Sequence, residues 1–342
     1  MNIKKIIKGL TLSLLLGSGV AVAADFNKGL KAAQSGDFKT ALAEWTPLAE
    51  QGNYSAQYNL GIMYNYGKGV PENIKTAAKW YTLAAEQGQV EAQYALGSMY
   101  SYGEGVPKDA KTATKWYTLA AQQGNAEAQY SLGNMYYKKG KGVPKNDKTA
   151  MKWYTKAAEQ GHADAQGNLG VMYRYGYGVP ENDKTAVKWF TLAAKQGLAR
   201  AQYNLSTMYD TGKGIPENDK TAVKWLTLAA KQGYAKAQTN LGNAYNNGYG
   251  VPENDKTAVE WHTLAAKQGN AEGQTNLGVM YANGSGVLTD NRRAYMWFNL
   301  GGYNGAGIAG EYKDEIAKQM TPADISKAQD MSSRCLESNY TD

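Results

Sequence analysis

Cysteine is almost missing from this chain: Cys335 is the only one among 342 residues. No internal disulfide can form, so packing alone must hold the fold, and the one covalent link left open is an intermolecular disulfide through Cys335. Histidine is nearly as scarce, with His162 and His262 alone. The two fall in different repeats and no cysteine stands near either, so no metal site is expected; each reads as a replacement at a tolerant position. No serine has a lysine three residues on, which excludes an S-x-x-K nucleophile. Gly67-Lys68-Gly69 lacks the GxxxxGK[ST] spacing and follows a helix, so it reads as a turn and not a phosphate cradle. Carboxylates such as Glu181 and Asp183 are scattered in loops, without the pair that acid–base catalysis needs. The expectation is a protein that is not an enzyme and carries no cofactor.

Long apolar runs are missing as well. The stretch from Leu10 to Val20 is interrupted by Gly17, Ser18 and Gly19 and is too short to span a bilayer comfortably. Lys4, Lys5 and Lys8 precede it and Ala21-Val22-Ala23 follows, the layout of a secretory signal peptide. Residues 1–23 are therefore expected to be cleaved, leaving a periplasmic or secreted protein that starts at Ala24 and keeps no stable membrane insertion. The formal net charge of +7 is modest for this length. Lysines recur at intervals instead of clustering, so nucleic acid is not an expected partner. Phenylalanine, at 4, is outnumbered by 26 tyrosines and 39 glycines. An interior of small residues and phenol rings suits shallow burial, where a ring packs and its hydroxyl reaches a polar rim.

What is present is a period. The eight tryptophans stand at Trp45, Trp80, Trp116, Trp153, Trp189, Trp225, Trp261 and Trp297, at intervals of 35 to 37 residues. A fixed spacing of that size marks a solenoid, whose units bury their apolar faces only by stacking. Seven units begin near Asn53, Gln89, Asn125, His162, Leu198, Tyr234 and Asn270. In the second, helix A runs over Glu91–Tyr100 and is closed by the glycines and proline of Gly103-Glu104-Gly105-Val106-Pro107. Helix B runs from about Asp109 through Trp116 to Gln123, with Gly124 at its end. Pairs such as Asn182-Asp183 cap the later B helices. Residues 24–52 are expected to form an opening helical pair, which Pro47 is expected to kink or shorten. Residues 53–303 form the repeats, and residues 304–342 close the array. There, a helix over 309–318 is followed by one that starts at Thr321-Pro322-Ala323-Asp324.

The unit A-x-A-Q-Y-x-L-G-x-M-Y-x-x-G-x-G-V-P, followed by A-x-x-W-(Y/F)-x-x-A-A-x-Q-G, closely resembles the Sel1-like repeat, a relative of the tetratricopeptide repeat. The resemblance implies an all-α fold: a right-handed α-solenoid superhelix of antiparallel helix pairs. It also implies a role as adaptor or assembly surface for other proteins, often in bacterial envelopes. A cysteine-rich exported branch of similar proteins is linked to penicillin binding or hydrolysis; its paired cysteines have no counterpart here.

Comparison among the units separates fold from function. Ala56, Gln57, Leu60, Gly61, Met63 and Tyr64 recur in nearly every helix A, with Gly273, Ser206 and Ala244 as departures. At about 100° per residue they occupy one arc of roughly 160°, and the variable positions 58, 59, 62, 65 and 66 occupy the opposite one. The constant arc is expected to be the inter-helix seam, and the variable arc points away from it, on what the resemblance implies is the concave side. On the latter, Tyr58, Tyr66, Tyr94, Tyr102, Tyr130, Tyr137, Arg174, Tyr175 and Tyr203 are the candidate partner-binding residues, since tyrosine and arginine dominate interface energetics. A second reading has Tyr58, Tyr94, Tyr130 and Tyr203 wedged against neighbouring units. The last two units carry Thr239, Asn243, Asn246, Asn247, Thr275 and Asn283 instead. The expected partner is a protein or peptide; a cell-wall glycan, whose sugar faces stack on tyrosine, is the alternative. On helix B, Ala77, Trp80, Tyr81 and Ala84 make an i, i+3, i+4, i+7 core stripe.

Overall fold

A computed structural model describes residues 24–138 and 142–340. The expected signal peptide, residues 1–23, lies outside them. Among the described residues the chain forms eighteen helices and no strand, and within each compact unit helices adjacent in sequence pack together, apart from the last two, which both pack on the helix before them. The chain divides into two compact units, one reaching to His162 and one starting at Ala163. The first holds α1 (Phe26–Ser35), α2 (Phe38–Glu50), α3 (Tyr54–Tyr66), α4 (Ile74–Glu86), α5 (Val90–Tyr102), α6 (Ala110–Gln122), α7 (Ala126–Tyr137) and α8 (Asp147–Glu159). The second holds α9 (Ala163–Tyr175), α10 (Asp183–Lys195), α11 (Ala199–Thr211), α12 (Asp219–Lys231), α13 (Ala235–Asn247), α14 (Asp255–Ala266), α15 (Ala271–Asn283), α16 (Asn291–Tyr303), α17 (Ala309–Ala317) and α18 (Pro322–Glu337). Each unit is an α-solenoid of antiparallel helix pairs.

The sequence ends each helix by recurring means. The side-chain oxygens of Asn53, Gln89, Asn125 and Asn270 accept from the backbone N–H three residues on and so open the A helices. Asn73, Asn146, Asn182, Asn218 and Asn254 do the same for the B helices. A left-handed glycine follows most A helices, Gly67 at φ 61° being the first. The second glycine of each turn has a further reason. A Cβ on Gly69 would stand 2.6 Å from the Cβ of Phe38, and one on Gly214 would stand 2.4 Å from the carbonyl carbon of Asp183. The turn thus rests directly on the first residue of the preceding B helix, a contact that only glycine permits.

Seams between pairs are built from alanine. Ala84, Ala85 and Ala92 are buried with Leu96 and Met99, and Trp116 packs against the same cluster from the following helix B. Each interior tryptophan is half-buried and laid back on the preceding pair, whereas Trp45 and Trp297 at the two ends are fully buried. The tryptophans are packing residues, as expected.

Two expectations are corrected, on Pro47 and on the arcs of helix A, and the link left open at Cys335 is narrowed. Pro47 lies inside α2 without shortening it, since that helix has the same 13 residues as most of the others. Cys335 is buried among Ala266, Leu277, Met296, Trp297 and Leu300, so its thiol is not presented to a second chain. The two arcs of helix A are also less separate than periodicity implies: Asn59, Thr239 and Thr275, all at variable positions, are buried. At the C-terminus α17 and α18 both pack on α16, and α18 starts with Thr321 as N-cap and Pro322 in the first turn.

Candidate binding face

The predicted tyrosines divide into two kinds by what their rings touch. In the first unit each repeat builds a small phenol cluster. The Tyr58 ring packs on Tyr81 at 5.7 Å, Tyr94 on Tyr117 at 5.8 Å, and Tyr130 on Tyr154 at 5.9 Å. The helix B ring enters each cluster because glycine faces it: a Cβ on Gly61 would stand 2.5 Å from the Tyr81 ring. Burial, and then the neighbouring Glu91, pushes the Tyr58 phenol above its ordinary range; burial pushes Tyr81 and Tyr117 up too. These phenols stay neutral at any physiological pH. Tyr58, Tyr94 and Tyr130 are thus half-buried wedges, as in the second reading above. Tyr203 belongs with them, its ring lying 5.3 Å from Tyr234.

The outer members behave otherwise. Tyr66 is 46% exposed, Tyr102 71% and Tyr175 50%. Each is the last residue of its helix A, the first two directly before the left-handed glycine that closes the helix. Tyr137 is half-buried, edge-on to Tyr154 at 6.2 Å, with the Lys145 ammonium 5.7 Å from its ring centre. In the second unit the Arg174 guanidinium lies 5.3 Å over the Tyr175 ring and donates to Thr207 Oγ1 at 2.9 Å, so it is held in one place. Tyr177, which sequence comparison passed over as a turn residue, lies 5.9 Å from Tyr175 and is itself exposed. Its signal was there: that turn position holds Lys68 in the first repeat and Lys213 in the fifth, but Tyr177 in the fourth and Tyr249 in the sixth.

The histidines have separate surroundings. His162 stacks on Tyr130 at 4.4 Å, with its Nε2 3.4 Å from Glu127 Oε2. His262 fills the slot of Tyr81 in the sixth repeat; it is buried, and burial holds its pKa down at about 4. Among the described residues no group of three His, Cys, Asp or Glu is placed to hold a metal ion. No described helix is long and apolar enough to cross a membrane.

The Sel1 repeat model matches seven consecutive segments, residues 55–89, 90–125, 126–162, 163–198, 199–234, 235–270 and 271–305. The chain belongs to the Sel1 repeat family. Among solved structures, it is 34% identical to a protective antigen of uropathogenic Escherichia coli strains displaying an SLR fold, with a TM-score of 0.86 over 92% of this chain and 69% of that one. It is 35% identical to a Sel1 repeat protein from Oxalobacter formigenes, with a TM-score of 0.68 over 85% of this chain and 86% of the other. No curated protein matches it. The family is one of repeat scaffolds commonly used in protein–protein interaction.

Proposed function

We propose that the protein is an exported, non-enzymatic scaffold that binds a protein or peptide partner through the outward side of its A helices. The observation that carries this is the division of the tyrosines: Tyr66, Tyr102 and Tyr175 are spent on no core, yet each stands at the same helix end, and Tyr66 and Tyr102 do so in repeats that hold a packed pair of phenol rings. A large ring with two side-chain torsions loses little entropy on binding, which suits an interface anchor. The Arg174–Tyr175–Tyr177 group supplies a second patch, with a cation already oriented. Export is supported by the N-terminal residue pattern, and by the description of the Escherichia coli relative as a protective antigen, since such an antigen is one that antibodies reach.

The test is capture from an envelope extract, comparing the wild type with a variant carrying Tyr66→Ala, Tyr102→Ala and Tyr175→Ala. Loss of specific partners at unchanged thermal stability is expected. Identical partner profiles would reject this face as the binding surface. Retention of the wild type on purified cell-wall sacculi, lost in the same variant, would favour a glycan partner instead.

A further inference from the structure

The helix B slot that faces the glycine of helix A is aromatic in every repeat but the fifth, where Leu226 stands. The facing glycine is replaced in one repeat alone, by Ser206, and the methionine two residues further along is replaced once, by Ala244. These three departures belong to two different repeats, yet all three line one cavity of about 220 Å³ within the second unit. An aromatic ring fills the same space elsewhere: in the third repeat the Tyr154 hydroxyl reaches Asn134 Oδ1 at 2.8 Å. Losing a ring from one seam costs packing energy, and the space it leaves opens on the side of the A helices where variable positions gather.

The lining is amphipathic. Ala222, Val223, Leu226 and Ala244 supply apolar walls, while Thr207, Asn240, Asn243, Asp210 and Asp219 bring polar atoms. Several hydrogens on these groups are already committed. Ser206 Oγ donates to the Tyr203 carbonyl and Thr207 Oγ1 to the Asn204 carbonyl, each at 2.7 Å. Asn243 Oδ1 already accepts from Asn276 Nδ2 at 2.8 Å, which leaves its NH2 and one oxygen lone pair on offer beside two carboxylates. Burial, and then the nearby charge of Asp219, hold the Asp210 carboxyl above the ordinary carboxylate range. An entering cation relieves that repulsion.

We propose that this cavity receives one basic side chain, lysine or arginine, from a peptide bound along helices α11 and α13. Such a side chain carries a flexible aliphatic stem that suits the apolar walls and a charged head that donates to the carboxylates and amide oxygens. At about 220 Å³ the space is on the scale of a side chain and not of a folded element. This deepens the reading of the protein as a peptide binder and rests on it for the source of the side chain. The pocket itself is tested without any partner.

The experiment titrates the full chain with N-acetyl-arginine amide, N-acetyl-lysine amide and N-acetyl-norleucine amide, following the side-chain amide signals of Asn240 and Asn243 by NMR. Saturable shifts are expected with the two basic amides. The norleucine compound, which keeps the stem and lacks the charge, should bind at least about tenfold more weakly, and Asp210→Asn should weaken the arginine amide by about tenfold. The double variant Ser206→Gly/Leu226→Tyr restores the pattern of the first repeats, so it should fold at least as stably and lose the shifts. Equal binding of the arginine and norleucine compounds overturns the proposal. So does the absence of saturable shifts with either basic amide, or unchanged binding in the double variant. If the amides bind as expected while the tyrosine variant keeps all partners, the pocket stands and the tyrosine surface falls.

Discussion

Gln87 donates its Nε2 to Gln57 Oε1 across 2.8 Å, although thirty residues separate them. Gln57 is buried in α3 and spends its own Nε2 on the carbonyl of Ala49, at the end of the preceding B helix, at 3.0 Å. The same double bond is made by Gln93 with Ala85 and Gln123, and by Gln202 with Ala194 and Gln232. One amide thus ties three consecutive helices, adding a side-chain donor to a carbonyl that the backbone N–H of the following glycine already reaches, as Gly52 N–H reaches Ala49 at 3.0 Å.

Changing Gln93 to Leu should therefore destabilise the protein by about 1 kcal/mol, because it removes both side-chain hydrogen bonds from the seam, while the Ala85 carbonyl keeps the Gly88 N–H and Gln123 Nε2 keeps the Gly88 carbonyl. The midpoint of urea unfolding reads this. A shift below that of a surface control such as Lys79→Ala would mean that water replaces the amide at no cost.

The Gly97 slot carries a second prediction. An added Cβ would stand 2.7 Å from the Tyr117 ring, so Gly97→Ala should cost about 1–3 kcal/mol through overpacking. Pairing it with Tyr117→Leu should cost less than the sum of the two single changes, since the fifth repeat already combines a larger residue, Ser206, with Leu226. A double-mutant cycle measures the coupling.

His262 makes stability depend on pH in a defined window. Its folded pKa is about 4, lowered by burial, against an unfolded value of about 6.5. Between those values the unfolded chain binds the proton and the folded one does not, so stability is full above pH 6.5 and falls as the pH drops towards 4. The total loss is about 3 kcal/mol. His262→Phe, which places in the sixth repeat the residue found at Phe298, should flatten the profile between pH 6.5 and 4.5. An unchanged slope would show that other groups carry it.

Cys335 should resist modification. Its burial on the inner face of α18, against Trp297 and Leu300, predicts that a thiol reagent reacts slowly in the native protein and fully in denaturant, and that oxidised protein stays monomeric on a non-reducing gel. Rapid native labelling would show that the closing helix opens readily.

Wedge and anchor tyrosines should separate in stability measurements. Tyr58→Ala should lose about 3 kcal/mol by emptying a seam, whereas Tyr66→Ala, at the exposed helix end, should change stability by less than about 0.5 kcal/mol. Calorimetry on the two single variants decides it.

The amino-acid sequence by itself determined the repeat, the helix pairs, their caps and the seam. Stacking imposes the same demand on every unit, so Gln57 and Leu60 recur, and a demand met seven times is visible without coordinates. Variation carries no such label. Tyr58 and Tyr66 look alike in a helical wheel, and only the tertiary structure sends one against Tyr81 and the other into water, because depth depends on which helix B residue lies opposite. The cavity beside Asp210 was hidden for the same reason. Ser206, Leu226 and Ala244 are far apart in the chain and each is a mild change alone; their meeting at one place is a property of how α11, α12 and α13 pack. Local patterns repeat because short-range hydrogen bonding and packing are the same in each unit. The places where the units differ acquire meaning only when the fold brings those differences together.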